Sequence, residues 1–436
     1  MTPAILTGCA LVLAAAFGAL AWLGDLFHAV HPFIVLFGLA SLAYGLAVVR
    51  VVRRPPTGWP ALAGILVAAA LFRLILLPAA PSLSTDLYRY LWDGRLAAAG
   101  VSPYGYPANA PEVAAFRDPV VYPRLNHADW RTVYPPGAQL LFAGLARLAP
   151  GSVLGFKLFI VALDLATIAL VVGWLRALGR PLAWALVYAW HPLVVVELAG
   201  SGHLDAVVLA TTVAALWAAT RGREAWAGAF LGAGALVKLY PVLLLPAVWR
   251  RSPGRALAAA ATVLAAGYAL YAGEGWAVLG SLARYISEEE FNGSLRAALE
   301  LLLGPLGPTG RLAARLLPLL GLGVLALVLG LLGREIPVWR RAVWLVGGYL
   351  LAAPNLFPWY ALWIVPLMAM APWWPWLYLS CAVALTYVIF AQPVWTIPAW
   401  VIVVEFGPVG LGLLLAARPR LWGPRSVAAR AWGSSS

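Results

Sequence analysis

VHPFIVLFGLASLAYGLAVVRVVRR, from Val30 to Arg54, holds no acid, lysine or arginine before Arg50, and then Arg50, Arg53 and Arg54 close it. About 20 apolar residues carry a helix across the hydrocarbon core of a bilayer. Arginine just past such a run marks the cytoplasmic side. The same unit recurs outward in both directions. Candidate spans are 4–24, 30–50, 59–78, 154–175, 182–199, 205–220, 255–273, 314–333, 341–354, 358–372, 375–391 and 399–417. No alternating strand pattern accompanies them, so a helical bundle is expected, not a barrel.

Composition agrees. Hydrophobic residues are 63% of the chain and charged residues 11%, where a soluble domain is about half apolar and about a quarter charged. Water-soluble and fibrous classes are excluded. The expectation is an all-α polytopic membrane protein of about 12 transmembrane helices (range about 11–14) with a large first extracytoplasmic loop carrying amphipathic helices. The net charge of +13 belongs to arginines in short loops and gives no argument for nucleic acid. Lysine occurs only at Lys157 and Lys238. Cys9 and Cys381 lie inside apolar runs, as core residues do. The opening Met1-Thr2-Pro3 lacks a basic n-region and reads as the start of a membrane helix.

Arginine then sets the topology. Arg50, Arg53, Arg54, Arg176, Arg180, Arg221, Arg223, Arg250, Arg251, Arg255, Arg334, Arg340, Arg341, Arg418, Arg420, Arg425 and Arg430 all fall in loops of one side. This requires both termini in the cytoplasm of a plasma (inner) membrane protein. It also requires that 137–149 not cross and that 226–249 enter and leave on the cytoplasmic side. The expected organisation is N-terminal transmembrane helices over 1–78, an extracytoplasmic catalytic loop over 79–136, a helical core over 137–417 and a basic cytoplasmic tail over 418–436. The outer side then receives 79–136, 200–205, 274–312, 354–358 and 392–398.

The chemistry-bearing residues cluster in those outer loops. In Ser84-Thr85-Asp86-Leu87-Tyr88-Arg89-Tyr90-Leu91-Trp92-Asp93-Gly94, a helix puts Asp86, Arg89, Tyr90 and Asp93 on one face. Such a helix would lie at the membrane surface with an acid–base–aromatic stripe, or simply hold an internal salt bridge. Glu197 and the turn Gly200-Ser201-Gly202-His203-Leu204-Asp205 place ionisable groups at the outer ends of two spans, where they are costly. Asp205 would either orient His203 or cap the next helix. Lys238, before Tyr240-Pro241, would pair with a lipid phosphate or snorkel to the cytoplasmic surface. In Glu288-Glu289-Glu290-Phe291-Asn292 the acids read as solvated and Asn292 as the residue of interest. Pro354-Asn355-Leu356-Phe357-Pro358-Trp359-Tyr360 is an aromatic helix break, suited to sugar rings or to an interfacial belt. Asp164 and Glu405 read as hydrogen-bonded within the bundle. No Gly-rich phosphate loop or Cys/His cluster is present, so neither a nucleotide nor a metal is called for.

Taken in order, these segments resemble the GT-C glycosyltransferases, in particular bacterial polyprenyl-phosphate-mannose-type mannosyltransferases related to the glycolipid and GPI enzymes. The resemblance rests on Asp86-Leu-Tyr-Arg-Tyr-Leu-Trp-Asp93-Gly94, Ser102-Pro-Tyr104, Asn126-His127, Thr132-Val-Tyr-Pro-Pro136, Gly202-His203-Leu-Asp205, Lys238-Leu-Tyr-Pro241, Phe291-Asn292-Gly-Ser294 and Pro358-Trp-Tyr360, over about residues 79 to 365. It implies Asp86 as catalytic base. It implies Arg89, Arg95, Arg131, His203 and Lys238 around the donor phosphate. Tyr88, Asp93, Tyr104, Asn126, Tyr134, Asp205, Asn292, Trp359 and Tyr360 would bind substrate, with no metal or other cofactor. The implied partners are a polyprenyl-phosphate sugar, an acceptor glycolipid, glycan or protein, and the bilayer itself. The chain departs from the family pattern in three places. Thr85 stands where relatives carry a second acid, Phe357 where many carry histidine, and Ser102 where asparagine is usual. The implied reaction is an inverting transfer of a hexose, mannose in preference, to an acceptor hydroxyl. The alternatives are a lipid-linked sugar transporter or flippase, and a membrane glycan polymerase or ligase. A transporter should show paired halves with matching broken helices, and no convincing internal repeat is found.

Overall fold

The computed structural model describes residues 2–249 and 253–416. Arg250, Arg251 and the basic tail over 418–436 lie outside the described residues. The described chain is all-α, and its extended pairing consists of isolated bridges from Phe291 and Asn292 to Asn355. The first six helices are α1 (Thr2–Leu23), α2 (Val30–Arg53), α3 (Trp59–Leu76), α4 (Asp86–Ala98), α5 (Pro136–Leu148) and α6 (Val153–Ala177).

Seven of the described helices are long and apolar enough to cross a membrane, or nine if each of two bent pairs is one span. The expected count of about 12 took shorter apolar stretches as whole crossings, and the fold breaks several of them. Pro192 cannot continue the helix begun at Leu182, so Leu182–Ala189 and Pro192–Gly200 meet at 56°. Pro253–Ala269 and Ala272–Glu288 meet at 107°, and Asp205–Thr220 and Pro358–Met370 are shorter pieces. α5 has 13 residues, about 20 Å of helix, too short for a straight crossing. It packs on α4 instead, so closely that a Cβ on Gly94 would lie 2.5 Å from the Phe142 carbonyl oxygen.

The 226–249 piece doubles back. Glu224–Ala235 is helical, the chain turns at 236–239, and Tyr240–Leu244 and Leu245–Val248 return. Small residues permit its close packing. A Cβ on Gly228 would sit 2.0 Å from the Ala256 carbonyl oxygen, and one on Gly232 2.9 Å from that of Ala260. The turn leans on α5 through Ala138 N–H to the Leu236 carbonyl, 3.0 Å.

Charge inside the bundle is paired, because hydrocarbon offers no other partner. Arg73 of α3 donates to Asp164 of α6 at 2.7 Å and to the carbonyls of Ala69 and Ala189. Tyr188 donates to the second Asp164 oxygen at 2.7 Å. Asp164 is thus bonded within the bundle as expected, and so is Glu405, which accepts from Asn292 at 2.7 Å.

Candidate active site

A cavity of about 730 Å³ opens where the five expected outer loops converge. Residues of 79–136, 274–312, 354–358 and 392–398 line it, and the 200–205 turn lies one side chain behind. Asp86, the first residue of α4, faces this space with its side chain 17% exposed. Its backbone N–H donates to Ser84 Oγ at 3.2 Å, and its Oδ1 accepts from Asn126 Nδ2 at 3.0 Å. Oδ2 lies 3.5 Å from the Tyr90 hydroxyl and 3.8 Å from His203 Nδ1.

The rest of α4 is not a helix lying at the membrane surface. Leu87 through Gly94 are buried, Trp92 completely, because α5 and the proline-rich loop cover the side expected to face water. The stripe becomes an internal brace. Arg89 donates to Asp93 at 2.9 Å and to the carbonyls of His127 and Trp130. Asp93 is held from its other side by Gln139 at 3.1 Å. Arg89 reaches the cavity wall, but its donors fix the loop that carries Asn126 and Arg131.

Two further cations line the cavity. Arg131 is exposed, with no hydrogen-bond or ionic partner among the described residues. Lys238 is at the cavity and not at the opposite membrane face, since the turn at 236–239 rises to this end. Its Nζ donates to Asp205 at 2.6 Å and sits 5.6 Å above the Tyr360 ring. Asp205 is therefore committed to Lys238 and to Trp363 Nε1 at 2.7 Å, and does not orient His203. That job falls to Glu197, whose Oε2 is 3.3 Å from His203 Nε2.

Aromatic rings form the remaining walls. Trp359 stacks on His203 at 4.1 Å, Phe357 on Trp359 at 4.8 Å, and Phe291 on Phe357 at 4.6 Å. Tyr360 and Tyr285 share a hydroxyl contact of 2.5 Å. Tyr134 lines the cavity against Tyr90. Burial, then the nearby Asp86 charge, raises its hydroxyl well above the usual phenol range and keeps it a donor.

Of the residues named from the sequence, Asp86, Arg89, Asn126, Arg131, Tyr134, Lys238, Trp359 and Tyr360 line one space. His203 stands directly behind Asp86. Six others do not line it. Arg95 pairs with Asp118. Tyr88 packs under Arg124. Tyr104 donates to the Tyr134 carbonyl. Asp93, Asp205 and Asn292 are consumed by the buried bonds already described. The acids at 288–290 are not merely solvated: Glu289 pairs with His127 at 3.2 Å, Glu288 with Arg284, and Glu290 with Arg296. Sequence reasoning missed Tyr387, whose hydroxyl donates to Glu197 at 2.7 Å from within an apolar run, and it dismissed Glu289.

Residues 132–354, just over half of the chain, match the model of glycosyltransferase family 87. The matched stretch takes in Tyr134, His203, Lys238 and Asn292, and begins after Asp86. No curated protein and no solved structure matches.

Proposed function

The chain belongs to glycosyltransferase family 87, and we propose that it is an inverting enzyme moving a hexose, mannose in preference, from a polyprenyl-phosphate carrier to an acceptor hydroxyl on the extracytoplasmic side. The observation that carries this reading is the opening of Asp86 into a cavity whose walls also hold Arg131 and Lys238.

Asp86, held by Asn126, takes the proton of the acceptor hydroxyl as its oxygen attacks the anomeric carbon. The bond to the carrier phosphate breaks on the opposite face, and its electrons stay with the phosphate. Arg131 and Lys238 stabilise that growing charge through charge-assisted hydrogen bonds. One displacement inverts the centre, so a β-linked donor gives an α-linked product. Trp359 and Tyr360 offer faces for a sugar ring, and Tyr134 a donor. Phe27, Phe390 and Trp395 at one end of the cavity, and Leu239, Leu282 and Ile286 at another, supply apolar walls for a lipid chain. Family membership favours transfer over transport.

The test is discharge of radiolabelled polyprenyl-phosphate mannose by membranes holding wild type or Asp86→Asn. Wild type is expected to move label to acceptor. The variant should be slower by roughly 10²–10⁴-fold, the usual worth of a general base. Consumption at the wild-type rate would overturn the reading. Parallel assays with glucose and pentose donors decide the sugar.

A further inference from the structure

We propose that His203, backed by Glu197, is the positioning partner of Asp86: it orients the carboxylate and takes over the proton that Asp86 removes from the acceptor. The proposal rests on the transferase reading above and adds residues that touch no substrate.

The argument begins with two buried histidines. His191 donates to or accepts from Ser380 Oγ at 2.8 Å and accepts the Leu193 N–H at 3.2 Å. It is a satisfied core residue. His203 is as deeply buried, yet neither ring nitrogen has an aligned hydrogen bond: Nε2 faces Glu197 Oε2 only as an ion pair at 3.3 Å, and Nδ1 lies 3.8 Å from Asp86 Oδ2. Buried polar atoms left unpaired are rare and need a reason. Here all three lie on one line from the core to the cavity. Tyr387 donates to Glu197 Oε1, Glu197 Oε2 lies 3.3 Å from His203 Nε2, and His203 Nδ1 lies 3.8 Å from Asp86 Oδ2.

The backbone fixes this line. Val195–Gly200 forms a wide helical turn, an element frequent at functional sites. Gly202 follows in the left-handed region at φ +76°, where a Cβ would lie 2.4 Å from Leu87 Cδ1 of α4. His203 N–H closes back on the Glu197 carbonyl at 3.0 Å. The ring is clamped by the stack on Trp359, with planes 23° apart. The imidazole therefore cannot swing, whereas Asp86 is partly open and can. At 3.8 Å the contact is longer than a hydrogen bond, and such contacts tighten when substrate is bound.

The proton balance is complete. The acceptor O–H bond breaks as its oxygen bonds the anomeric carbon, and the phosphate leaves with the electron pair of the broken bond. The proton passes to Asp86 Oδ2 and on to His203 Nδ1. The imidazolium then sits between the carboxylates of Asp86 and Glu197, as the orienting acid does in acid–histidine triads. After product departs, the proton returns through Asp86 to water in the cavity. The other groups facing this relay are Tyr90 on α4, Lys157 on α6 behind Gly202, Tyr387, and the Lys238–Asp205 pair.

The experiment uses purified full-length protein in nanodiscs, radiolabelled polyprenyl-phosphate mannose, and a lipid extract of native membranes as acceptor source. His203→Gln is expected to lower kcat roughly 10–100-fold, to leave donor KM unchanged, and to remove one ionisation from the acid limb of the pH–rate profile. Glu197→Gln is expected to move kcat in the same direction by less, and to displace that ionisation. Wild-type kcat and an unchanged profile in His203→Gln, beside a dead Asp86→Asn, overturn the relay and leave the transferase standing. An active Asp86→Asn overturns the transferase reading itself. If thermal melting shows His203→Gln unfolded, the profile of Glu197→Gln decides, and an unchanged one overturns the relay.

Discussion

Two of the buried ionic clusters, one around Asp164 and one around His203, differ in how well they are satisfied. Around Asp164, both carboxylate oxygens and most of the Arg73 guanidinium have partners, with Arg73 Nη2 the exception. The cluster does not line the cavity that Asp86 opens into. Around His203, Nε2 and Glu197 Oε2 face each other at 3.3 Å without an aligned hydrogen bond, Nδ1 has no hydrogen-bond partner, and the cluster ends at a cavity of about 730 Å³. A fold gains nothing from orphaned polar atoms, since each costs the desolvation of the group. In the second cluster they stand directly behind Asp86, the proposed base. The first cluster holds the helices together, and the second is held open by them.

The contrast predicts opposite phenotypes for two aspartates. Asp86→Asn should cost roughly 10²–10⁴-fold in kcat and leave the melting temperature unchanged, because Asn126 and Tyr90 can still bond an amide. Asp164→Ala should do the reverse. It strands Arg73 in the bundle, a loss of about 3–5 kcal/mol for a broken buried pair, read as a lower melting temperature and poor accumulation in membranes. The surviving folded fraction should turn over normally. A collapse of stability in Asp86→Asn would erase the distinction.

The first cluster was legible in the sequence and the second only in part. Asp164 is a charge inside a 22-residue apolar run, and hydrocarbon leaves it one fate. Asp86 and Asn126 were found through motifs that place them in one outer loop. Their contact across 40 residues needs the prolines between to fold. The resemblance implied Arg89 at the donor phosphate, and its spacing is that of a surface stripe. What the spacing cannot show is that α5 and the loop cover that stripe and turn it inward. Lys238 was left between a lipid phosphate and the cytoplasmic surface, because an apolar piece that doubles back has no charge signature at its apex. Glu197 was visible as a cost at membrane depth, but its partner Tyr387 lies 190 residues away, a distance that no local pattern spans.

Among the cavity cations the contrast sharpens. Lys238 is already paired with Asp205, whereas Arg131 has no partner among the described residues. Arg131→Ala therefore removes nothing the fold uses. If the donor phosphate completes it, the variant should raise donor KM roughly tenfold, within the usual worth of a charge-assisted hydrogen bond, with melting temperature unchanged. Steady-state kinetics across donor concentrations measure it, and an unaltered KM would place the phosphate elsewhere.

The smallest effect belongs to the rim, where His127 faces Glu289 at 3.2 Å. The hydrogen bond to Glu289 raises the His127 pKa above its ordinary 6.5, with help from the Glu289 and Asp129 charges and opposition from burial and Arg89. A raised folded value means the pair contributes fully below pH 6.5 and is lost as pH climbs through the raised value. Asp129 is itself tied to Arg284, so it stays charged across this range. The His127 side chain is 46% exposed, so solvent screening limits the pair to about 1 kcal/mol at most, up to about fivefold. Because the Arg89 brace holds the same loop, loosening it should weaken donor capture by that small factor. The ratio of wild-type to Glu289→Gln kcat/KM should accordingly be near unity at alkaline pH, rise as pH falls through the raised His127 value, and reach below pH 6.5 a plateau no higher than about fivefold. A ratio flat with pH would mean that Arg89 alone fixes the loop, and that the rim belongs with the Asp164 cluster and not with the site.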